Sequence, residues 1–152
     1  MPAGQAPSGK REHRPLWTCP SCGKQYVTRN MWHSCVKVPL EDHFVGRPRA
    51  RELFDAYLAA LRTQGPVTIS VSKTRIEIMT RARFTGATVR RDYLKSGLWL
   101  KRRADSARFT KVELVGKRDW LHYFDIRDES DIDDELMALL AEARKVGDQE
   151  AD

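Results

Sequence analysis

The chain has 152 residues, 41% apolar and 32% charged, a balance that excludes a disordered polymer. Its formal net charge of +6 and pI near 9.4 favour an acidic partner, with nucleic acid first, anionic lipid second and acidic protein third. No stretch is apolar enough to span a bilayer and Met1–Arg14 lacks an apolar core or cleavage signal, so a cytoplasmic protein with no membrane partner is expected.

Residues 1–15 are rich in Pro, Gly, Ala and charge, and read as a disordered tail. Gly9-Lys10 imitates a phosphate loop, but Arg11 stands where Ser or Thr would hold magnesium. Residues 16–45 form a small module that carries all the cysteines, and residues 46–147 form the main domain. A helix is predicted to start near Pro48, a residue suited to a first helical position. It carries Leu53, Phe54, Tyr57, Leu58 and Leu61 on one face and stops at Gly65-Pro66.

From Val67 to Arg127 the period becomes two. Val67, Ile69 and Val71 alternate with polar residues; Ile76, Ile78, Ala82 and Phe84 share a face, as do Leu94, Leu98 and Leu100. Thr110, Val112 and Leu114 follow, then Trp120, Phe124 and Ile126. Gly86, Gly97 and Gly116 punctuate the stretch, and Gly97, inside a strand pattern, predicts a bulge. The last helix is predicted over Asp131–Val146, capped by Ser130 with Asp133 in its third position, and residues 148–152 form a second tail. The fold class is therefore α+β: about five mostly antiparallel strands with two helices packed on them, behind a small zinc-knuckle module.

Three cysteines within seventeen residues are too few and too close for a disulfide framework, and fit metal-bound thiolates. In Cys19-Pro20-Ser21-Cys22-Gly23, two residues between the cysteines let both thiolates face one ion, with Pro20 fixing the turn and Gly23 tolerating a positive φ. His33 and Cys35 complete a closed, structural site for one zinc ion per chain. His43 competes with His33 for the fourth place. Residues two apart on a helix point to opposite sides, so His33 and Cys35 cooperate only where the helix breaks. Cys22 to Cys35 matches the interval of two-Cys, two-His fingers, and Tyr26 and Trp32 fall where those fingers keep apolar residues. Zinc would supply on the order of 10 kcal/mol of folding free energy to a module too small to fold unaided.

The Cys-Pro-Ser-Cys-Gly knuckle, the stretch Asn30-Met31-Trp32-His33-Ser34-Cys35 and the following Leu40-Glu41-Asp42-His43-Phe44 resemble bacterial proteins that end in domain of unknown function 5655. The likeness continues through Lys73-Thr74-Arg75, Val89-Arg90-Arg91 and the Asp131-to-Leu136 segment, and spans residues 16–147. The resemblance implies no established activity. Related domains look to be appended to restriction-nuclease-like proteins, which by analogy implies nucleic-acid contact.

No catalytic residues are expected. A restriction-type centre needs an acidic residue two positions before a lysine, and the chain has none. His122 shares a strand face with Trp120 and Phe124 and reads as a structural, partly buried histidine. Charge, by contrast, is concentrated: fourteen basic residues lie between Lys73 and Arg118 against Glu77, Asp92, Asp105 and Glu113. Arg75, Arg81 and Arg83 oppose Ile76 and Ile78, while Tyr93, Lys95, Trp99 and Lys101 oppose Leu94, Leu98 and Leu100. Together with Arg90, Arg91, Arg102 and Arg103 they form a candidate nucleic-acid-binding face, in which rings stack on bases and cations pair with phosphates. The leading expectation is a zinc-containing, non-catalytic nucleic-acid-binding protein. One alternative is a protein or enzyme that takes an anionic small molecule between helices and sheet, near Lys73, Arg75 and His122. Another is an adaptor for an acidic protein.

Overall fold

The period-two stretch forms a six-stranded antiparallel sheet in the computed structural model, which describes residues 15–33, 35–36 and 38–149. The tails expected at residues 1–14 and 150–152 lie outside the described residues. In chain order, a two-stranded hairpin of β1 (Trp17–Thr18) and β2 (Gln25–Tyr26) is followed by a 3-10 helix at Leu40–Phe44 and by α1 (Pro48–Arg62). The sheet strands are β3 (Thr68–Val71), β4 (Ile76–Met79), β5 (Arg83–Val89), β6 (Leu94–Leu100), β7 (Phe109–Val115) and β8 (Asp119–Ile126). A 3-10 turn at Glu129–Asp131 leads into α2 (Asp134–Gly147). Spatial order is β3-β4-β5-β6-β8-β7, so β8 enters between β6 and β7. Among the described residues, no helix is long and apolar enough to cross a membrane.

One sheet face is covered and one is open. Register places Thr85 opposite Leu98, and Leu98 opposite His122, so alternate residues of neighbouring strands point the same way. Ile76, Ile78, Leu94, Leu98, Leu100, Phe124 and Ile126 are buried on the covered face. Leu53, Phe54, Tyr57 and Leu61 of α1 and Leu136, Leu140 and Ala143 of α2 close over them. Phe44 joins this core at 5.3 Å from Phe54. Arg144 of α2 reaches back to the C-terminus of α1, donating to the carbonyls of Leu61 (2.8 Å), Gly65 (3.2 Å) and Pro66 (3.0 Å). It thereby ties α2 to the last turn of α1 and to the loop that follows it.

Three local expectations change. The single run expected from Ile76 to Phe84 is two strands, β4 and β5, because the chain turns at Thr80–Ala82, where Ala82 donates to the Gly147 carbonyl at 2.9 Å. Gly97 marks no bulge: it pairs in unbroken register with Gly86 and Tyr123, while the bulges fall at Ile78/Met79 and Phe109/Lys111. Gly86 is needed for close approach, since a Cβ there would lie 2.6 Å from the Ile76 carbonyl oxygen. Finally, Asp133 caps α2, accepting from the Leu136 N–H at 2.9 Å; Ser130 belongs to the preceding 3-10 turn, which Asp128 caps.

His122 is wholly buried, deeper than its sequence context suggests. Its Nε2 accepts from the Ala104 N–H at 2.9 Å, which leaves Nδ1–H to donate to the Trp120 carbonyl at 3.1 Å. Its ring lies 4.8 Å from that of Phe109, whereas Lys73 and Arg75 lie in the turn between β3 and β4.

Candidate metal centre and adjoining groove

The β1–β2 hairpin pairs Trp17 with Tyr26 and Thr18 with Gln25, and its tip is the cysteine knuckle. The Gly23 N–H donates to the Cys19 carbonyl and the Cys19 N–H to the Lys24 carbonyl, both at 2.8 Å. This tight turn needs φ of +77° at Gly23, a conformation that costs glycine little. Among the described residues that follow β2, 27–33 and 35–36 take no helix or strand, and Asn30 has φ of +58°.

Cys19, Cys22, His33 and Cys35 come together, with their ligand atoms all within 4.8 Å of one another. Cys19 Sγ lies 3.8 Å from Cys35 Sγ, and His33 Nε2 lies 3.2 Å from Cys22 Sγ and 3.5 Å from Cys35 Sγ. A tetrahedral ion with metal–sulfur bonds of about 2.3 Å and metal–nitrogen bonds of about 2.05 Å requires S···S edges of ~3.8 Å and S···N edges of ~3.6 Å. The donor set therefore fits one small tetrahedral ion. His33 Nδ1–H donates to the Met31 carbonyl at 2.7 Å, which fixes the ring and turns Nε2 toward the sulfurs. Tyr26 and Trp17 flank the same ring, with centroids at 4.6 Å and 6.1 Å.

Protonation of the metal-free set is uneven. Burial pushes the Cys19 thiol up, but the backbone N–H groups of Cys22 and Ser21 outweigh it and bring its pKa down to about 6. Cys35, hydrogen-bonded to Cys19 and desolvated, is pushed up to about 11. His33 is raised by its bond to the Met31 carbonyl and by Cys22. Loading a cation must therefore displace protons from this cluster. The competing ligand, His43, lies elsewhere: its Nε2 is 2.7 Å from the Ser72 carbonyl oxygen. Trp32, expected among the apolar residues of the module, is instead 90% exposed.

The module lies against the β3–β4 end of the sheet, and a groove of about 510 Å³ separates the two. Lys24, Tyr26, Trp32 and His33 line one wall; Lys73, Arg75, Arg81 and Arg83 line the other, and Glu77 is the carboxylate among them. A second depression of about 390 Å³ shares Arg75, Glu77 and Arg83 and extends over the open face past Trp99 to Tyr123 and Lys95. Sequence reasoning missed Lys24, Tyr26 and Trp32 as members of such a surface. No periodic signal could have found them, because the groove exists only through the placement of the module.

The ten residues expected to form the basic face sort into three groups. Arg75, Arg81 and Arg83 reach the groove, and Lys95 and Trp99 reach its extension. Lys101 lies on the open face but pairs with Asp119 at 2.6 Å, and Arg90 and Arg91 are exposed in the β5–β6 hairpin. Arg102 and Arg103 leave the face altogether. Arg102 grips Glu142 of α2 at 2.8 Å and Arg103 lies over Trp120, because the chain bends once β6 has ended at Leu100. Arg83 bonds Glu77 at 2.9 Å and its guanidinium stands 5.1 Å from the Trp99 ring centre, so that ring is neither in the core nor bare.

Residues 40–145 match the family model described as "Domain of unknown function (DUF5655)". No curated protein and no solved structure matches the chain. The matched segment begins beyond Cys35 and takes in the 3-10 helix, α1, the whole six-stranded sheet and nearly all of α2. The chain belongs to the DUF5655 family, with a Cys3His cluster placed ahead of the family domain.

Proposed function

We propose that the protein binds single-stranded nucleic acid in the groove between module and sheet, without chemistry on it, and that the Cys3His cluster holds a structural zinc ion. The observation that carries the reading is the composition of that groove: five cations, Lys24, Lys73, Arg75, Arg81 and Arg83, around a 90% exposed Trp32, with Glu77 opposing them. Cations aligned with a bare ring suit a phosphate backbone whose bases are free to stack, which is the condition of an unpaired strand. Zinc suits a closed set of three sulfurs and one imidazole nitrogen better than a hard cation does. With three thiolates the site carries a net charge of minus one, so its part is to fix the wall rather than to attract the strand.

The test is fluorescence anisotropy with labelled single-stranded DNA and RNA and the matching duplexes, over a salt series. Single strands should bind more tightly, with log K falling by about 0.7 per neutralised phosphate for each unit of log salt. Lys73 and Arg75 are exposed and make no salt bridge among the described residues. Replacing both with alanine should shallow the slope by about 1.4, whereas Arg102→Ala should leave it unchanged. Absence of binding to every oligonucleotide at low salt would overturn the reading.

A further inference from the structure

The two edges of the sheet are finished differently. At the β3 edge, Leu16, Cys22, Lys24, Gln25 and Val38 face Thr68–Val71 across a cleft, so the metal module shields that short strand. The other edge, β7, is seven residues long and pairs only with β8, which leaves its second row of backbone donors and acceptors unpaired within the sheet. Leu114 and Val115 on it are 49% and 36% exposed. A long, uncovered and partly apolar edge is a template for another strand.

We propose that β7 pairs antiparallel with β7 of a second copy, across a two-fold axis at Val112. The occupant follows from the strand's own sequence. Centred on Val112, in the regular part of β7 that follows the bulge between Phe109 and Lys111, the antiparallel register sets Lys111 against Glu113 of the copy, twice by symmetry. Lys111 and Glu113 both point to the open face, where they already lie 3.2 Å apart within one chain, so each finds an opposite charge across the new ladder. A shift of one residue would set Lys111 or Glu113 against its own counterpart or turn apolar residues to the wrong face. Because the β3 edge is shielded by the module, head-to-tail addition of β7 to β3 is blocked. Association closes at two copies, in one twelve-stranded sheet.

The test uses the full, zinc-loaded chain in sedimentation equilibrium through the micromolar range. The wild type should approach twice its 17.5 kDa mass. Lys111→Glu and Glu113→Lys should each weaken the dimer by about tenfold to a hundredfold, since two attractive pairs become two repulsive ones. Mixing the two variants should restore a one-to-one dimer, because every cross-strand pair is then complementary; this arm also shows that each variant is folded. A wild type that stays monomeric across the range refutes the proposal. So do single variants that dimerise as the wild type does, or a mixture that fails to associate.

Discussion

His33→Ala and His43→Ala, compared side by side, test the metal centre at the point where the sequence left two candidates. A closed four-donor zinc site has an apparent binding free energy on the order of 12 kcal/mol, so loss of one donor in four should weaken zinc by about a hundredfold. His33 Nε2 sits within 3.5 Å of two sulfurs, so its removal should bear that whole loss. The His43 ring bonds the Ser72 carbonyl at 2.7 Å, and its removal should cost about 1 kcal/mol of stability and leave zinc affinity unchanged. Competition against a chromophoric chelator measures the first quantity and urea denaturation the second. Trp17, whose ring lies 6.1 Å from that of His33, gives a local fluorescence signal for the module. Equal zinc retention by both variants, or a loss confined to His43→Ala, refutes the assignment.

Trp32→Ala should weaken single-strand binding by about 1–3 kcal/mol with little change in salt slope, the signature of a lost stack. Trp99→Ala should do less, since Arg83 already covers its ring, and a larger effect in anisotropy titrations would reverse that ranking. His122 should titrate below its ordinary pKa of 6.5, because burial, with smaller help from Arg102 and Arg103, outweighs its bond to the Trp120 carbonyl. Its stabilising contribution is then complete above about pH 6.5 and lost as pH falls toward the lowered value, where only the unfolded chain takes up the proton. An NMR titration of its ring protons with a midpoint at or above 6.5 would refute this. Arg144→Met should destabilise the fold by about 2–3 kcal/mol in urea melts, by removing the guanidinium donor from the Gly65 and Pro66 carbonyls and leaving the Leu61 carbonyl with the Gln64 N–H alone.

What the sequence disclosed was local. The stripe Leu53, Phe54, Tyr57, Leu58, Leu61 and the N-terminal Pro48 place α1 because both signals are complete within a few turns. The cysteine knuckle was legible for the same reason: a two-residue spacer sets the distance between thiolates without help from the rest of the chain. The start of α2 was not, since Asp128 and Asp133 can each cap and a 3-10 turn takes the first of them. Period two correctly set Lys95, Trp99 and Lys101 opposite Leu94, Leu98 and Leu100. It could not follow Arg102 round the end of β6 to Glu142, forty residues away, nor reveal that β8 would insert between β6 and β7.

The same long-range pairing decides which cations are available to a partner. On the open face Arg83 meets Glu77, Lys101 meets Asp119, Lys111 meets Glu113 and Arg127 meets Asp125. Two of these carboxylates, Asp119 and Asp125, lie outside the stretch in which basic residues outnumber acidic ones fourteen to four, so the face is closer to neutral than its linear charge suggests. Exposed pairs of this kind add little stability and exchange readily, yet a phosphate must displace a carboxylate to use such a cation. Lys73 and Arg75 carry no such competitor among the described residues, and they are the cations that the metal module faces. Fixing the module in place therefore does two things at once: it puts Trp32 beside the uncompensated charge, and it turns an open sheet edge into a walled groove. On this view metal loading and ligand binding are linked equilibria, with the Cys3His cluster as the element both depend on.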